Sequence, residues 1–377
     1  MGTGMKILFL IYHVLVSHSG ISKKILSQVE GLRANGADVS LCTLTLNADG
    51  SKSRTVDGKE IMNFGFGLKA KLKKRLSYGD IADYVKGNGF DTVYIRYDIN
   101  ADPFTIRFVK SLHKAGVKVV VEIPTYPYDG EFKGQGFAMN LQLFIDKCFR
   151  KRFFRFCDRA VVYSDDEYVF GCRTINISNG VSFENIPIAD GQKYGGSLKM
   201  LSVANVHLWH GLDRLIEGMG RNPEINAELH IVGDGVESVF NEYRALIQKY
   251  GLEDKVRILG PMFGQDLNDE FNWSNIAVGS LGRHRSGITD IKTLKNREYA
   301  ARGRAFFYSE HDSDFEDRPY VFKIPADETP VDMKALAEFR SSLGMTPAGI
   351  RESIQDLSWA NQLGKVISFS AEARRKA

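Results

Sequence analysis

The sequence predicts an α/β protein made of two successive Rossmann-like halves, each with a parallel sheet. Three observations carry this. Short continuous apolar runs alternate with segments of helical periodicity, as buried parallel strands and their crossover helices require. The alternation starts near residue 6 and starts again near residue 199. Between the two series, from Val181 to Gly196, periodicity fades and Pro, Gly and Asp gather. With 377 residues, 43% hydrophobic and 25% charged, the chain is long enough for two well-cored domains.

The elements of the first half follow in order. Lys6 to Leu10 is an apolar strand. From Ser22 to Asn35, Ile25, Leu26, Val29 and Leu32 share one helical face, and Gly36 closes the helix. Asp38 to Thr43 is the next strand, so the chain opens β-loop-α-β. Asp91 to Arg96 predicts a strand, Pro103 to Ala115 a helix, and Lys118 to Ile123 and Arg159 to Tyr163 two further strands.

In the second half, strands are predicted at Met200 to Asn205, Ala227 to Val232, Val256 to Leu259, Ile276 to Leu281 and Ala305 to Ser309. Helices are predicted at Leu212 to Met219, Val236 to Tyr250, Leu267 to Trp273 and Leu294 to Ala301, and an amphipathic one at Ala348 to Lys376. The resulting division is 1–185 as the first domain, 186–196 as a linker and 197–355 as the second domain. The terminal helix, 356–377, is expected to pack back on the first domain.

Fifty basic against forty-six acidic residues leave a formal charge of +4. That is too balanced for a chain that binds nucleic acid by bulk charge. Cys42, Cys148, Cys157 and Cys172 show neither CxxC nor zinc spacing, so free thiols in a reducing, cytoplasmic compartment are expected. No apolar run is long enough to span a bilayer. Ile7 to Val16 has the length of a signal-peptide core, but His13 interrupts it and no small-residue cleavage site follows.

Ligands of open α/β sheets bind beyond the carboxyl ends of the strands, so the loops after strands are where site residues are sought. Neither G-x-G-x-x-G nor a Walker A loop is present, which speaks against a dehydrogenase or a P-loop enzyme. Gly20 and Ile21 open the first helix, where a backbone can approach an anion; a plain tight turn is the other reading. Thr125, Tyr126 and Glu131, in the loop after the Lys118 strand, offer a hydroxyl, a ring and a carboxylate to a polyhydroxylated ligand, or form a proline-stiffened surface loop.

The stretch from Gly279 to Gly303 is the richest. Arg283, His284 and Arg285 stand beside Ser286 and Gly287, and cationic donors next to a glycine can hold a diphosphate. A solvated charge run is the alternative. Lys295 and Glu298 then open a helix, where a carboxylate can accept both hydroxyls of a ribose. The only D-x-D, Asp312 to Asp314, lies in a polar loop, and neither it nor any other group is expected to hold a metal.

These residues resemble a known family. Asp290, Glu298 and the following EYAARG look like the E-x7-E motif of the retaining GT-B glycosyltransferases of family 4. SVANVHLWHGLDRLIEGM, LHIVGDGVES, VRILGPMFG and ISNGVSFENI are similar to four further family segments, in the family's order. The resemblance implies a GT-B fold, with two sheets facing across a cleft. It also implies a nucleotide-diphosphate sugar as donor and a glycan or polyprenyl-linked glycan as acceptor, in surface polysaccharide synthesis. It implies Asp290 at the reaction and Glu298, His210, Asn205, Gly260 and Phe263 as donor contacts, and the chemistry of the residues themselves adds Arg285 at the reaction and Lys295, Arg283, His284 and Gly287 on the donor.

Three departures stand out. The first motif Glu is Asp290, residues 281–289 form an insertion, and the family's diphosphate-clamping Arg and Lys fall on Asn205 and His210. Arg285, assisted by Arg283 and His210, is therefore expected to take over the diphosphate. A nucleotide-sugar 2-epimerase and an inactive sugar-nucleotide-binding module are the alternatives.

Two basic stretches suggest an anionic membrane surface as a partner. Phe137 to Arg159 mixes Phe144, Phe149, Phe153, Phe154 and Phe156 with Lys and Arg, and Lys69 to Arg75 is a second basic run without evident apolar partners. The other reading puts the phenylalanines in the core, with a solvated basic face.

Overall fold

The computed structural model describes residues 4–16, 19–129, 136–191 and 194–375. The chain divides into two compact units, 1–178 with 359–377 and 179–358. The division differs from the sequence expectation. Residues 179–196 belong to the second unit rather than to a free linker, because Val181 N–H donates to Leu357 O at 2.8 Å and Ala189 N–H to Arg302 O at 2.9 Å.

Unit 1 runs β1 (Lys6–Leu10), α1 (Gly20–Ala34), β2 (Asp38–Leu46), β3 (Lys52–Val56), β4 (Lys59–Gly65), α2 (Gly67–Leu76), α3 (Tyr78–Gly87), β5 (Thr92–Arg96), α4 (Pro103–Lys114), β6 (Lys118–Glu122), α5 (Phe137–Phe154), β7 (Arg159–Val162), β8 (Tyr168–Val169) and β9 (Cys172–Asn176). Its sheet has the order β4-β3-β2-β1-β5-β6-β7-β9-β8, parallel from β2 to β9 and extended by antiparallel strands at both edges. The β3–β4 hairpin was not anticipated. Its signal is Asp57-Gly58, both at positive φ (47° and 79°), the pairing that a two-residue hairpin turn demands.

Strand alternation sorts the core of unit 1 onto two faces. Ile7 and Phe9 point to one side with Tyr94, Val120 and Val161. Leu8 and Leu10 point to the other, against Ile81 and Val85 of α3, Val109 of α4 and Phe153 of α5. Each such buried side chain contributes roughly 1.5–3 kcal/mol. α4 starts where Asp102 accepts from Phe104 and Thr105 N–H, both at 2.8 Å, with Pro103 in the first turn.

Unit 2 runs β10 (Leu198–Val203), α6 (Leu212–Arg221), β11 (Ala227–Val232), α7 (Glu237–Tyr250), β12 (Val256–Gly260), α8 (Gly264–Trp273), β13 (Ile276–Val278), α9 (Leu294–Ala301), β14 (Phe306–Tyr308), β15 (Val321–Lys323), α10 (Met333–Ser342) and α11 (Pro347–Glu352). The all-parallel order β12-β11-β10-β13-β14-β15 reverses direction between β10 and β13. That reversal is the topological switch point at which doubly wound sheets bind their ligands.

The predicted terminal helix is two helices. α11 ends at Glu352, and a 3-10 turn at Gln355–Leu357 precedes α12 (Trp359–Arg375). α12 belongs to unit 1, where Trp359, Leu363 and Val366 join Ile25, Val29 and Leu32 of α1 over the sheet. The two helices cross tightly: a Cβ on Gly31 would lie 2.8 Å from Trp359 O, so a larger residue there must push α12 away.

Candidate active site in the second unit

At the switch point of unit 2, the loops after β10 and β13 are bound to each other by their backbones. Leu281 N–H donates to His210 O at 2.9 Å and Gly282 N–H to Trp209 O at 3.2 Å. Gly211 makes this approach possible. Its φ is +63°, and a Cβ there would stand 2.6 Å from Gly282 N. Arg214 locks the arrangement from α6, donating to Thr329 O (2.7 Å), Pro325 O (3.0 Å) and Leu281 O.

This junction gathers cations. His210 is buried, and its Nδ1 accepts from His207 N–H at 2.9 Å. Burial, together with the charges of Lys295 and Arg283, lowers its pKa to about 2, so the ring is neutral. Arg283 lies 5.4 Å from the Trp209 ring centroid, a cation–π distance. Lys295, in the first turn of α9, has no hydrogen-bond partner for Nζ among the described residues. Burial pulls its ammonium down to about 7 despite the attraction of Glu310, and Arg283 adds to the drop.

Glu310 follows β14 and is almost fully buried; among the described residues neither carboxylate oxygen has a partner from another residue. Burial pushes its carboxyl up to about 7, against the pull of Lys295 and Arg283. Asn296 is fully buried with both amide atoms unpartnered, as are the hydroxyls of Ser202 and Ser280. Buried polar groups are as a rule hydrogen-bonded, and leaving one unmade costs about 1–3 kcal/mol. A patch that leaves several unmade is arranged for something other than itself.

The other predicted donor residues take various places. Arg285 is the main correction. Its guanidinium meets Asp213 at 2.9 and 2.7 Å, Glu328 through Nε at 3.0 Å, and Leu208 O at 3.1 Å. Its donors are thus committed to anchoring the insertion rather than turned to the switch point. His284 Nε2 sits 2.7 Å from the same Glu328. Gly287, at φ +68°, closes the 3-10 turn Arg283–Ser286.

Asp290 is exposed, 2.8 Å from His311 Nδ1 and accepting from the Thr289 hydroxyl at 2.9 Å. α9 has the expected bounds, under a Thr293 cap, and they put Glu298 in its second turn rather than at its start, so the helix dipole aids Glu298 less than expected. Its Oε1 accepts from Arg302 at 3.0 Å. Asn205 is exposed in the loop after β10. Gly260, at φ +73°, ends β12 and accepts from Gly233 N–H at 2.8 Å, and Phe263 stands exposed before α8.

Sequence reasoning missed Glu310, Asn296, Asp213 and Glu328. Only Glu310 had a signal, as an acid directly after a strand. Asp312 and Asp314 both hold the buried Arg297, the first at 2.6 and 2.9 Å. Among the described residues no group of three His, Cys, Asp or Glu could hold a metal ion.

In unit 1, Gly20 and Ile21 are exposed at the start of α1. Thr125 and Tyr126 are half-buried after β6, with the Tyr126 ring edge-on to Phe170, and Glu131 lies outside the described residues. Behind them is a network centred on the fully buried Glu122, which accepts from Arg96 (2.6 Å), Tyr163 (2.7 Å), Gln28 (2.9 Å) and Tyr94 (3.1 Å). Burial alone would raise the Glu122 carboxyl; Arg96 and Lys24 outweigh it and lower the pKa. The network ties α1 to the sheet.

The aromatic-basic stretch is divided. Phe137 and Phe144 are exposed, while Phe153 and Phe154 are core. Among the described residues no helix is long and apolar enough to cross a membrane.

No family model matches the sequence, and no curated protein matches it. Solved structures do. The chain is similar to a glycosyltransferase from Rickettsia africae ESF-5, at 12% identity and a TM-score of 0.62 over 100% of both chains. It is similar to the lipopolysaccharide outer core galactosyltransferase WaaB, at 13% identity and a TM-score of 0.64 over 98% of this chain and 100% of that one. Anabaena Alr3699/HepE, solved in complex with UDP, aligns at 15% identity with a TM-score of 0.56 over 98% and 95%. The chain has the GT-B fold. In this fold the described switch point of unit 2 lies in the second of the two Rossmann-like units, and the first unit carries the longer, hairpin-extended sheet.

Proposed function

We propose that this chain is a glycosyltransferase. It moves a sugar from a nucleotide-diphosphate donor to a hydroxyl of a glycan or lipid-linked glycan, with retention of configuration, in the synthesis of a surface polysaccharide. The observation that supports it is the buried, unpartnered Lys295 ammonium beside Arg283 at the switch point of unit 2. Transfer breaks the bond between the anomeric carbon and the diphosphate oxygen and forms one to the acceptor oxygen. The acceptor proton leaves with the diphosphate. The charge that develops on the leaving group needs preplaced cations in a dry site.

Lys295 and Arg283 serve as the diphosphate clamp in this reading, in place of the family's pair at Asn205 and His210. Glu298 accepts the ribose hydroxyls through its oxygen not held by Arg302. Asp290 and Glu310 face the transferred sugar. The protein cations do the electrostatic work, so no metal is required, and the enzyme acts in the cytoplasm, at the inner face of the membrane.

A 2-epimerase is the second reading. Its support is the buried Glu310, an acid–base group with a carboxyl pushed up to about 7, and a similar structure described as a UDP-N-acetylglucosamine 2-epimerase from Listeria monocytogenes. A panel of nucleotide sugars, incubated with EDTA and with or without glycan acceptors, separates the readings. Nucleoside diphosphate release that survives EDTA and rises with an acceptor supports transfer. A new nucleotide sugar formed from donor alone supports epimerisation. Activity lost to EDTA and restored by magnesium or manganese contradicts the metal-independent mechanism.

A further inference from the structure

Unit 1 holds a cavity of about 520 Å³ beyond the carboxyl ends of β1 and β5. None of the residues predicted for the acceptor side lines it. Its floor is Tyr12 and the loop after β5, and its walls come from the β3–β4 hairpin, α2 and α5. The floor is built rather than loose. Ile99 holds φ +50°, a strained conformation for a β-branched residue, and Gln142 of α5 donates to its carbonyl at 3.0 Å. Asp146, fully buried, accepts from Ala101 N–H at 3.1 Å and from Tyr128 at 2.6 Å, which fastens α5 to the same loop.

The lining is electropositive. Lys52, Lys71, Lys74 and Arg75 face it, against Asp98 and Asp102. Asp102 is already committed, to Arg75 at 2.6 Å and to the start of α4. Three lysines therefore remain against Asp98. The half-buried Lys74 donates to Tyr12 O at 3.2 Å, and its pKa is lowered, first by burial and then by Arg54, against the pull of Asp98.

Helices α2 and α5 also carry exposed apolar residues, of which Leu141 lines the cavity. Leu68, Leu72 and Leu76 of α2, spaced one helical turn apart, are 81%, 62% and 55% exposed. Phe137, Leu141 and Phe144 of α5 form a second exposed stripe at helical spacing. The two helices that supply the stripes also supply cavity walls. A cationic hollow walled by two helices that carry exposed apolar stripes suits one kind of molecule, an anion carried on a hydrocarbon chain.

We infer that this cavity binds the phosphate of an amphiphile, with the phosphate among Lys52, Lys71 and Lys74 and the chain along the α2 and α5 ridges. As an acceptor site it rests on the glycosyltransferase reading; as a binding site it does not. The phosphate can belong to a polyprenyl-linked molecule or to a membrane phospholipid.

The test is binding of the full chain, without donor, to a short-chain alkyl phosphate below its micellar concentration, and to phosphatidylcholine vesicles carrying either polyprenyl phosphate or phosphatidic acid. Saturable binding of the alkyl phosphate is expected. Lys52→Glu with Lys71→Glu, both at exposed positions, should weaken it at least tenfold. Lys151→Glu with Arg152→Glu, exposed on α5 but outside the cavity, should leave it unchanged. Tighter binding to polyprenyl phosphate than to phosphatidic acid vesicles assigns the acceptor as the source, and equal binding assigns the membrane. No binding of the alkyl phosphate, or equal weakening by both double variants, would overturn the site. Nucleoside diphosphate binding should survive Lys52→Glu with Lys71→Glu, so failure here is distinguishable from failure of the donor reading.

Discussion

The Lys295 and Glu310 side chains are a base and an acid buried together at the carboxyl edge of one sheet, and among the described residues neither side chain has a hydrogen-bond partner from another residue. A pair selected for stability would be closed by hydrogen bonds, because the desolvation of both groups must be offset. Replacing both by neutral groups of similar shape, Lys295→Met with Glu310→Gln, should leave the unliganded chain at pH 7 at least as stable, by up to about 1–4 kcal/mol more. Chemical unfolding measures this. Clear destabilisation would make the pair structural.

The same pair predicts proton uptake on donor binding. Unliganded, Lys295 and Glu310 both titrate near 7. A diphosphate beside them favours the protonated form of each, so both pKa values rise in the complex. Binding should therefore take up protons at pH 8 and weaken as pH rises above about 7. Calorimetry in two buffers of different ionisation enthalpy reads the sign. Proton release would place the diphosphate elsewhere.

Arg285→Ala should unfold the insertion rather than weaken diphosphate contact directly. Its bonds to Asp213 and Glu328 are charge-assisted, and their loss should cost roughly 1.5–3 kcal/mol of stability. The expected signature is a lower Tm with nucleoside and nucleoside diphosphate affinities falling together. A selective loss of the diphosphate at unchanged Tm would restore Arg285 to the clamp.

Glu298→Gln should raise the donor Kd about tenfold, or ~1.4 kcal/mol, and flatten the preference for ribo- over 2′-deoxynucleotides. Asp290→Asn should instead lower turnover while leaving nucleoside diphosphate binding nearly intact. If Glu298→Gln lowers only the Tm, its role is the Arg302 pair.

The strands of both sheets that lie in the core were legible because buried parallel strands read as unbroken apolar runs, as in Lys118 to Ile123. The β3–β4 hairpin was not, since its strand faces carry Lys52, Arg54 and Glu60 and only Asp57-Gly58 marks the turn. Lys295 and Arg283 could be singled out as cations near a strand end, but not ranked above Arg285. Ranking depends on Asp213 and Glu328, distant in sequence, which occupy Arg285 and leave Lys295 without a partner. Lys69 to Arg75 reads as a basic run without apolar partners because Leu68, Leu72 and Leu76 come together only once α2 forms, where they stand exposed.

The central claim is that Lys295 holds a donor diphosphate in unit 2. Thermal shift of the wild-type chain and of Lys295→Met against UDP, GDP, ADP and dTDP tests it most directly. At a hundred times its Kd a bound diphosphate stabilises by about 2.7 kcal/mol, so at least one of the four should raise the wild-type Tm, and the same nucleotide should leave the Tm of Lys295→Met unmoved. No shift with any diphosphate, or an equal shift in both proteins, would contradict the account.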